Sequence, residues 1–183
     1  MREIEIKARV SDKAKTLDAL KQLGVQLSQP LKQHDVVYSV PGAIDNDPSQ
    51  NWLRVRTEND SKVIFTLKRS VTGELDSIEH EVTVDSADEL TAIIGYLGYE
   101  LFSDLTKIRQ KGHHGDLEIC FDEVPELGTF IEVEKLCPEE VDINEVTTEL
   151  WAVFEQLGIS REDEETSGYD ILQRRKAAST QNS

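Results

Sequence analysis

The sequence predicts an α+β fold in which a closed antiparallel β-sheet turns a charged face inward and carries its helices on the outside. Three observations lead there. Short segments alternate charged and apolar residues with period two, the mark of strands. The charged faces of those segments hold almost only Arg, Lys, Glu and Asp. A strand, a helix ending in Leu-Gly and further strands then occur twice along the chain.

Residues 2–10 alternate, with Glu3, Glu5 and Lys7 on one face and Ile4 and Ile6 on the other. A helix follows, capped by Ser11 or Asp12, with Leu17, Leu20 and Leu23 on its buried face and Gly24 at its end. Strands come next near 33–40, 51–57 and 62–69, and Pro41–Gln50 reads as a loop. The pattern restarts at 78–84, where Ile78, His80, Val82 and Val84 oppose Glu79, Glu81 and Thr83. Ser86 and Glu89 have the capping-box spacing for a second helix, with Leu90, Ile93, Ile94 and Leu97 as its apolar positions and Gly98 as its stop. Further strands lie near 100–111, 116–123 and 128–135, the first two joined by a turn at Gly112-His113-His114-Gly115. Laying Glu3–Leu27 beside Glu79–Leu101 suggests a barrel of two related halves. A long amphipathic helix (Val146, Leu150, Val153, Phe154, Leu157) ends at Gly158, followed by an acidic loop and a short helix around Tyr169–Arg175. The organisation expected is a single domain over 1–176 with a frayed tail over 177–183.

At 183 residues, 38% hydrophobic and 31% charged, the composition is that of a globular domain. No apolar run is long enough to span a bilayer, so no membrane partner is expected. Cys120 and Cys137 have no paired metal-ligand spacing, which points to a reducing, cytoplasmic setting. A formal net charge of -16 argues against nucleic acid as a partner, because such binding needs a basic surface. The acidic run Arg161–Glu165 reads as a solvated loop.

Strand parity collects the charges into sets. Trp52, Arg54 and Arg56 share a face, as do Thr66 and Lys68, and Glu79 and Glu81. So do Lys107, Arg109 and Lys111; Glu118, Cys120 and Asp122; and Phe130, Glu132 and Glu134. A solvated sheet face normally mixes Thr, Ser, Gln and Lys. Like charges repeated at i and i+2 repel unless an opposite charge lies between them. Closing the sheet with its apolar side outward would put these charges in one lumen. Arg and Lys there suit phosphate oxygens, and carboxylates suit Mg²⁺ or Mn²⁺. Phosphoryl or nucleotidyl transfer is the chemistry that uses both. There is no Walker-type glycine loop, and His34, His80, His113 and His114 have no metal-ligand spacing.

Glu3-Ile4-Glu5-Ile6-Lys7 resembles the E-x-E-x-K signature of the CYTH superfamily, the triphosphate tunnel metalloenzymes. The resemblance continues through Leu53-Arg54-Val55-Arg56, Thr66-Leu67-Lys68, Glu79-His80-Glu81, Lys107-Ile108-Arg109, Asp122-Glu123-Val124 and Leu127–Glu134. It implies an eight-stranded antiparallel barrel forming a tunnel. It also implies that Glu3, Glu5, Glu81, Asp122, Glu132 and Glu134 bind one or two divalent cations, Mg²⁺ or Mn²⁺. Lys7, Arg54, Arg56, Lys68, Lys107 and Arg109 would clamp a triphosphate, and Lys7, Lys68 and Glu81 are the candidate catalytic residues. Glu79 joins with less support, and Lys111 and Glu118 are added on strand parity alone. Where the family often has Ser-Tyr near the C-terminus, this chain has Gly168-Tyr169.

The resemblance implies the triphosphate and leaves the reaction open. The segment Phe121–Glu134 looks most like class IV adenylate cyclases, which convert ATP to cyclic AMP and pyrophosphate. Trp52, directly before the L-R-x-R motif, resembles thiamine triphosphatases instead and could stack on thiazolium or adenine. Thiamine triphosphate and tripolyphosphate therefore stand beside ATP as candidate substrates. A non-catalytic nucleotide or polyphosphate sensor fits less well, since binding phosphate alone does not need so many carboxylates. Several family members pair, which makes a homodimer an expectation of the resemblance.

Overall fold

Period-two alternation becomes eight strands in the computed structural model, which describes residues 2–44, 50–73 and 75–181. The order is β1 (Arg2–Arg9), α1 (Lys13–Gln22), β2 (Leu31–Ser39), β3 (Trp52–Glu58), β4 (Lys62–Gly73), β5 (Asp76–Val84), α2 (Ala87–Tyr96), β6 (Glu100–His114), β7 (Leu117–Val124), β8 (Gly128–Cys137), α3 (Ile143–Gln156) and α4 (Tyr169–Gln181). A short 3-10 helix, Arg161–Asp163, precedes α4. The strands close into an antiparallel barrel in the order β1-β5-β4-β3-β2-β6-β7-β8. Strand, helix and three strands thus occur twice in sequence, as the repeated pattern suggested. Among the described residues, no helix is long and apolar enough to cross a membrane.

The chain packs as two compact units that do not follow those sequence halves: Met1–Leu31 with Ile108–Thr166, and Lys32–Lys107 with Ser167–Ser183. In the first unit, β1, β7 and β8 lie side by side with Ile4, Ile6, Ala8, Ile119, Phe121, Ile131 and Val133 on their apolar face. Helix α3 covers that face with Val146, Leu150, Trp151, Val153 and Phe154. Each fully buried side chain of this kind stabilises by about 1.5–3 kcal/mol. An exposed ion pair contributes only about 0–1 kcal/mol, so apolar burial is the larger source of stability on this face. Asp12 caps α1 by accepting the Lys15 N–H at 3.0 Å, and Asp142 caps α3 by accepting the Asn144 N–H at 2.8 Å. The acidic run is fastened to β1: the Glu165 N–H donates to Lys7 O at 2.8 Å, and the Glu165 carboxylate pairs with Arg9 at 2.6 Å.

In the second unit the apolar core is smaller: Tyr38, Leu53, Val55, Val63 and Ile94, with Phe65, Leu67, Val84 and Leu90 packed against them. Ser86 caps α2 by accepting the Glu89 N–H at 3.2 Å. The four apolar positions expected on α2 do not share one fate. Ile94 is buried and Leu90 packs partly, whereas Ile93 and Leu97 are 54% and 67% exposed. A small core accepts only one edge of this helix.

Two boundaries differ from the sequence expectation. The turn after β6 is Gly115-Asp116 rather than Gly112–Gly115, because His114 still pairs with Leu117. Gly115 has φ +65°, as the first central residue of a tight II′ hairpin turn requires. Helix α4 extends to Gln181, six residues past Arg175, through a stretch containing the strong helix formers Lys176, Ala177 and Ala178. Residues 182 and 183 of the expected tail, and 45–49 of the expected loop, lie outside the described residues.

Gly112 has a different task from the turn the sequence assigned to it. The segment after α1 runs beside β6, with the Ser28 N–H donating to Lys111 O at 2.7 Å and Gln110 Nε2 donating to Ser28 O at 2.8 Å. A Cβ at Gly112 would stand 2.7 Å from Val25 Cγ1 and 3.0 Å from the Gln26 carbonyl oxygen. Gly112→Ala is therefore expected to destabilise the protein by about 1–3 kcal/mol through overpacking, measured as a lower urea midpoint with an unchanged m-value. A neutral result would show that this segment yields freely.

Candidate functional site

In the first unit, register stacks charged residues into rows across neighbouring strands. Glu5 of β1 lies opposite Glu134 of β8, and Glu134 lies opposite Glu118 of β7. The next row reads Lys7, Glu132, Cys120 and Lys111, and the third reads Arg9, Phe130, Asp122 and Arg109. Apolar residues at the alternate positions send the other side chains into the core, so the sequence leaves these faces no choice.

Arg109 organises the third row. Its Nε donates to Asp122 Oδ1 at 2.7 Å, a second nitrogen bonds Asp122 Oδ2, and that same nitrogen also bonds Glu132. Arg109, Asp122 and Glu132 are all buried. Burial alone would lower the Arg109 pKa, but Asp122 and Glu132 raise it well above the ordinary value. This guanidinium is therefore permanently charged and tied to two carboxylates.

The row of Glu5, Glu134 and Glu118 behaves differently. Burial, the hydrogen bond with Glu118 and the nearby Glu3 and Glu5 push the Glu134 carboxyl well above the ordinary carboxylate range. Glu118, although burial opposes it, is held down to about 2 by its bond with Glu134 and by Lys111. Within this hydrogen-bonded pair the shifts run in opposite directions, Glu134 up and Glu118 down. Carboxylate oxygens of Glu3, Glu5 and Glu134 lie within 4.8 Å of one another. Those of Glu118 and Glu134 lie equally close to the Cys120 sulfur. Cys120 donates to both, at 3.7 and 3.6 Å, and burial pushes its thiol far up. A cation held by Glu3, Glu5 and Glu134 would relieve the crowding that adds to burial in pushing Glu134 up. Three hard oxygen donors suit Mg²⁺ or Mn²⁺.

The second unit carries the opposite emphasis. Register places Asp35 across from Arg56, Arg54 across from Thr66, Thr66 across from Glu81, and Lys68 across from Glu79. Arg56 forms a fork on Asp35, with Nε at 2.6 Å and Nη2 at 2.7 Å, and both residues are buried. Arg54 Nη2 reaches Thr66 at 3.2 Å, Glu79 at 3.4 Å and Glu81 at 3.2 Å. Lys68 pairs with Glu79 at 3.1 Å. Although burial opposes it, Glu79 is held down to about 2 by Lys68 and Arg54, and Asp35 lies well below the carboxylate range beside Arg56. Lys107 is buried, its ammonium 4.8 Å from the centre of the Tyr169 ring. Trp52 lies edge-on to Phe102 with ring centres 4.7 Å apart.

The residues expected from the sequence thus fall into separate settings. Glu3, Glu5 and Glu134 converge on one point, with Glu118 on the far side of Glu134. Asp122 and Glu132 are committed to Arg109. Glu81 sits among the basic residues of the second unit, accepting from Thr66 at 2.8 Å and from Arg54. Glu79, Lys111 and Glu118, added on weaker grounds, all take part in ion pairs. Asp35 was not anticipated, although parity with the buried Gln33 on β2 marked its face. Cys120, placed on the charged face by parity, is engaged with the acidic row.

The CYTH domain family model matches residues 1–169. A Methanocaldococcus jannaschii protein named "Putative adenylate cyclase" is 29% identical over 167 residues, covering 89% of this chain and 93% of its own. The solved structure of a Vibrio parahaemolyticus protein described in the same words superposes with a TM-score of 0.81 at 20% identity, covering 94% of this chain and 97% of that one. A Hippeastrum protein, described as a "Putative adenylyl cyclase" that "reveals a dominant" triphosphatase activity, superposes with a TM-score of 0.59 at 17% identity, over 92% of this chain and 91% of its own. With a family model matched along nearly its whole length and the barrel that the E-x-E-x-K resemblance implied, the chain belongs to the CYTH domain family.

Proposed function

We propose that the chain is a divalent-metal-dependent enzyme acting on a triphosphate, and that its reaction is that of a class IV adenylate cyclase, ATP to cyclic AMP and pyrophosphate. The observation that carries the metal-dependent reading is the convergence of Glu3, Glu5 and Glu134, whose carboxylate oxygens lie within 4.8 Å of one another. The cyclase reading is supported by the Methanocaldococcus jannaschii relative, which matches over 89% of this chain.

In this reading Glu3, Glu5 and Glu134 hold Mg²⁺ or Mn²⁺, with Asp122, Glu132 and Glu81 as the further carboxylates of the set. The bound cation would neutralise charge on phosphate oxygens. Lys7, Arg54, Arg56, Lys68, Lys107 and Arg109 bind the triphosphate, the guanidinium groups by paired hydrogen bonds and the ammonium groups as point charges. Lys7 and Lys68 offset the negative charge that grows as the ribose 3′-oxygen bonds to the α-phosphorus and the bond to the β-phosphate oxygen breaks. Glu81 accepts the proton of the 3′-hydroxyl, and pyrophosphate leaves. Lys7 is almost wholly buried, which strengthens its interaction with an anion.

Triphosphate hydrolysis is the second reading, favoured by the activity described for the Hippeastrum protein. The same clamp would serve, with water attacking the terminal phosphorus of tripolyphosphate or thiamine triphosphate. Incubation with each triphosphate and Mg²⁺ or Mn²⁺, with products resolved by phosphorus NMR, separates the two. Cyclic AMP and pyrophosphate from ATP are expected. Orthophosphate without cyclic AMP would replace the cyclase by a hydrolase.

The hydrogen bond between Glu134 and Glu118 gives a second expectation. Glu134→Gln keeps a neutral hydrogen-bonding side chain, so the metal-free protein should keep its stability within about 1 kcal/mol. The rise in Tm that Mn²⁺ gives the parent protein should disappear, and turnover should fall by about a hundredfold or more. An unchanged Mn²⁺-induced rise would remove Glu134 from the metal site.

A further inference from the structure

We infer that Asp35 is a positioning residue for polyphosphate binding, acting by fixing the guanidinium of Arg56; the inference rests on the triphosphate reading above and deepens it. Asp35 and Arg56 are directly opposed on β2 and β3. The fork at 2.6 and 2.7 Å uses Nε and Nη2, the two nitrogens on one edge of the group. Holding that edge fixes the plane of the guanidinium and turns Nη1 away from Asp35, a geometry a flexible exposed arginine could not keep. The pair is enclosed. Asp35 is 6% and Arg56 8% exposed, and the adjoining position on β2 is Gln33, fully buried and donating to Glu58 at 2.9 Å. Arg54 and Lys107 add further positive charge at Asp35.

A competing role makes the inference sharp. If Asp35 served only as a counterion in this basic cluster, it would repel an incoming polyanion, and neutralising it would tighten binding. If it positions Arg56, the same change frees the guanidinium to rotate and weakens binding. The two roles predict opposite signs.

The experiment measures Mg²⁺-tripolyphosphate binding by calorimetry for the parent protein, Asp35→Asn, Arg56→Gln and the double variant, with folding checked by circular dichroism. Positioning predicts that D35N weakens binding by roughly tenfold or more, and that D35N added to R56Q gives no further weakening. Binding by D35N as tight as the parent's, or tighter, would overturn the inference. So would a further tenfold loss on the R56Q background, because Asp35 would then act independently of Arg56. If D35N alone does not fold, R56Q against D35N/R56Q still decides, since the double variant replaces the ion pair with an amide pair of similar shape. A parent protein that binds no tripolyphosphate would overturn the triphosphate reading and this inference together, whereas tight parental binding with an unaffected D35N would sink only the latter.

Discussion

Carboxylates placed opposite one another on paired strands repel when ionised, and the chemistry of the first unit follows from that constraint. Glu5, Glu134 and Glu118 are forced into one row by register, with Glu3 beside them. At about 5 Å and an effective dielectric near 20, each like-charged pair costs about 3–4 kcal/mol. Register cannot slip to relieve this, because a one-residue shift would expose Ile4, Ile6, Ile131 and Val133. The apolar face fixes the strands and the strands fix the crowding. A bound proton or cation would relieve it, and burial and crowding together push the Glu134 carboxyl up.

The carboxylates on these faces therefore divide into two kinds. Asp122 and Glu132 share Arg109, and Asp35 holds Arg56; these pairs are buried and satisfied. Removing one partner would strand a buried charge, at a cost of about 3–5 kcal/mol. Glu134 is the other kind: burial, its hydrogen bond with Glu118 and the nearby Glu3 and Glu5 push its carboxyl up against the opposing effect of Arg109. A charged face built from both kinds keeps its shape through the satisfied pairs and its responsiveness through the crowded ones.

Much of this was legible in the sequence because strand parity is a local rule. Glu3, Glu5, Lys7, Arg54, Arg56, Glu132 and Glu134 could be assigned to faces from spacing alone, and helix ends at Gly24, Gly98 and Gly158 followed from positive φ at a C-terminal glycine. Register was not legible, and register decides partners. Nothing in the spacing tells that Asp122 and Glu132 converge on Arg109, that Glu134 sits between two acidic strands, or that Glu81 adjoins Arg54. Asp35 went unnoticed because β2 carries Val36 and Val37 side by side, which blurs the alternation. Gly112 was misassigned for a related reason: a glycine that admits a neighbouring segment looks, in sequence, like a glycine that turns.

A formal net charge of -16 does not by itself bar a polyanion, as the length scales show. At physiological ionic strength charges on the surface are screened within about 8 Å. Much of the acid excess is of that exposed kind, such as Glu155, Glu162 and the residues of α2's first turn, Asp88 and Glu89. Buried groups are screened far less, and Lys7, Arg56, Lys107 and Arg109 are each less than 10% exposed. A charge beside any one of these cations therefore meets it at short range, not through the average field. Yet Arg56 and Arg109 already hold carboxylates, which removes most of their net charge as seen from a distance. A bare polyphosphate consequently gains less from them than from unpaired cations, whereas one already neutralised by a divalent ion approaches with less repulsion from Glu79 and Glu81. Under the triphosphate proposal, cations paired in advance would favour a metal-complexed polyphosphate over a bare one.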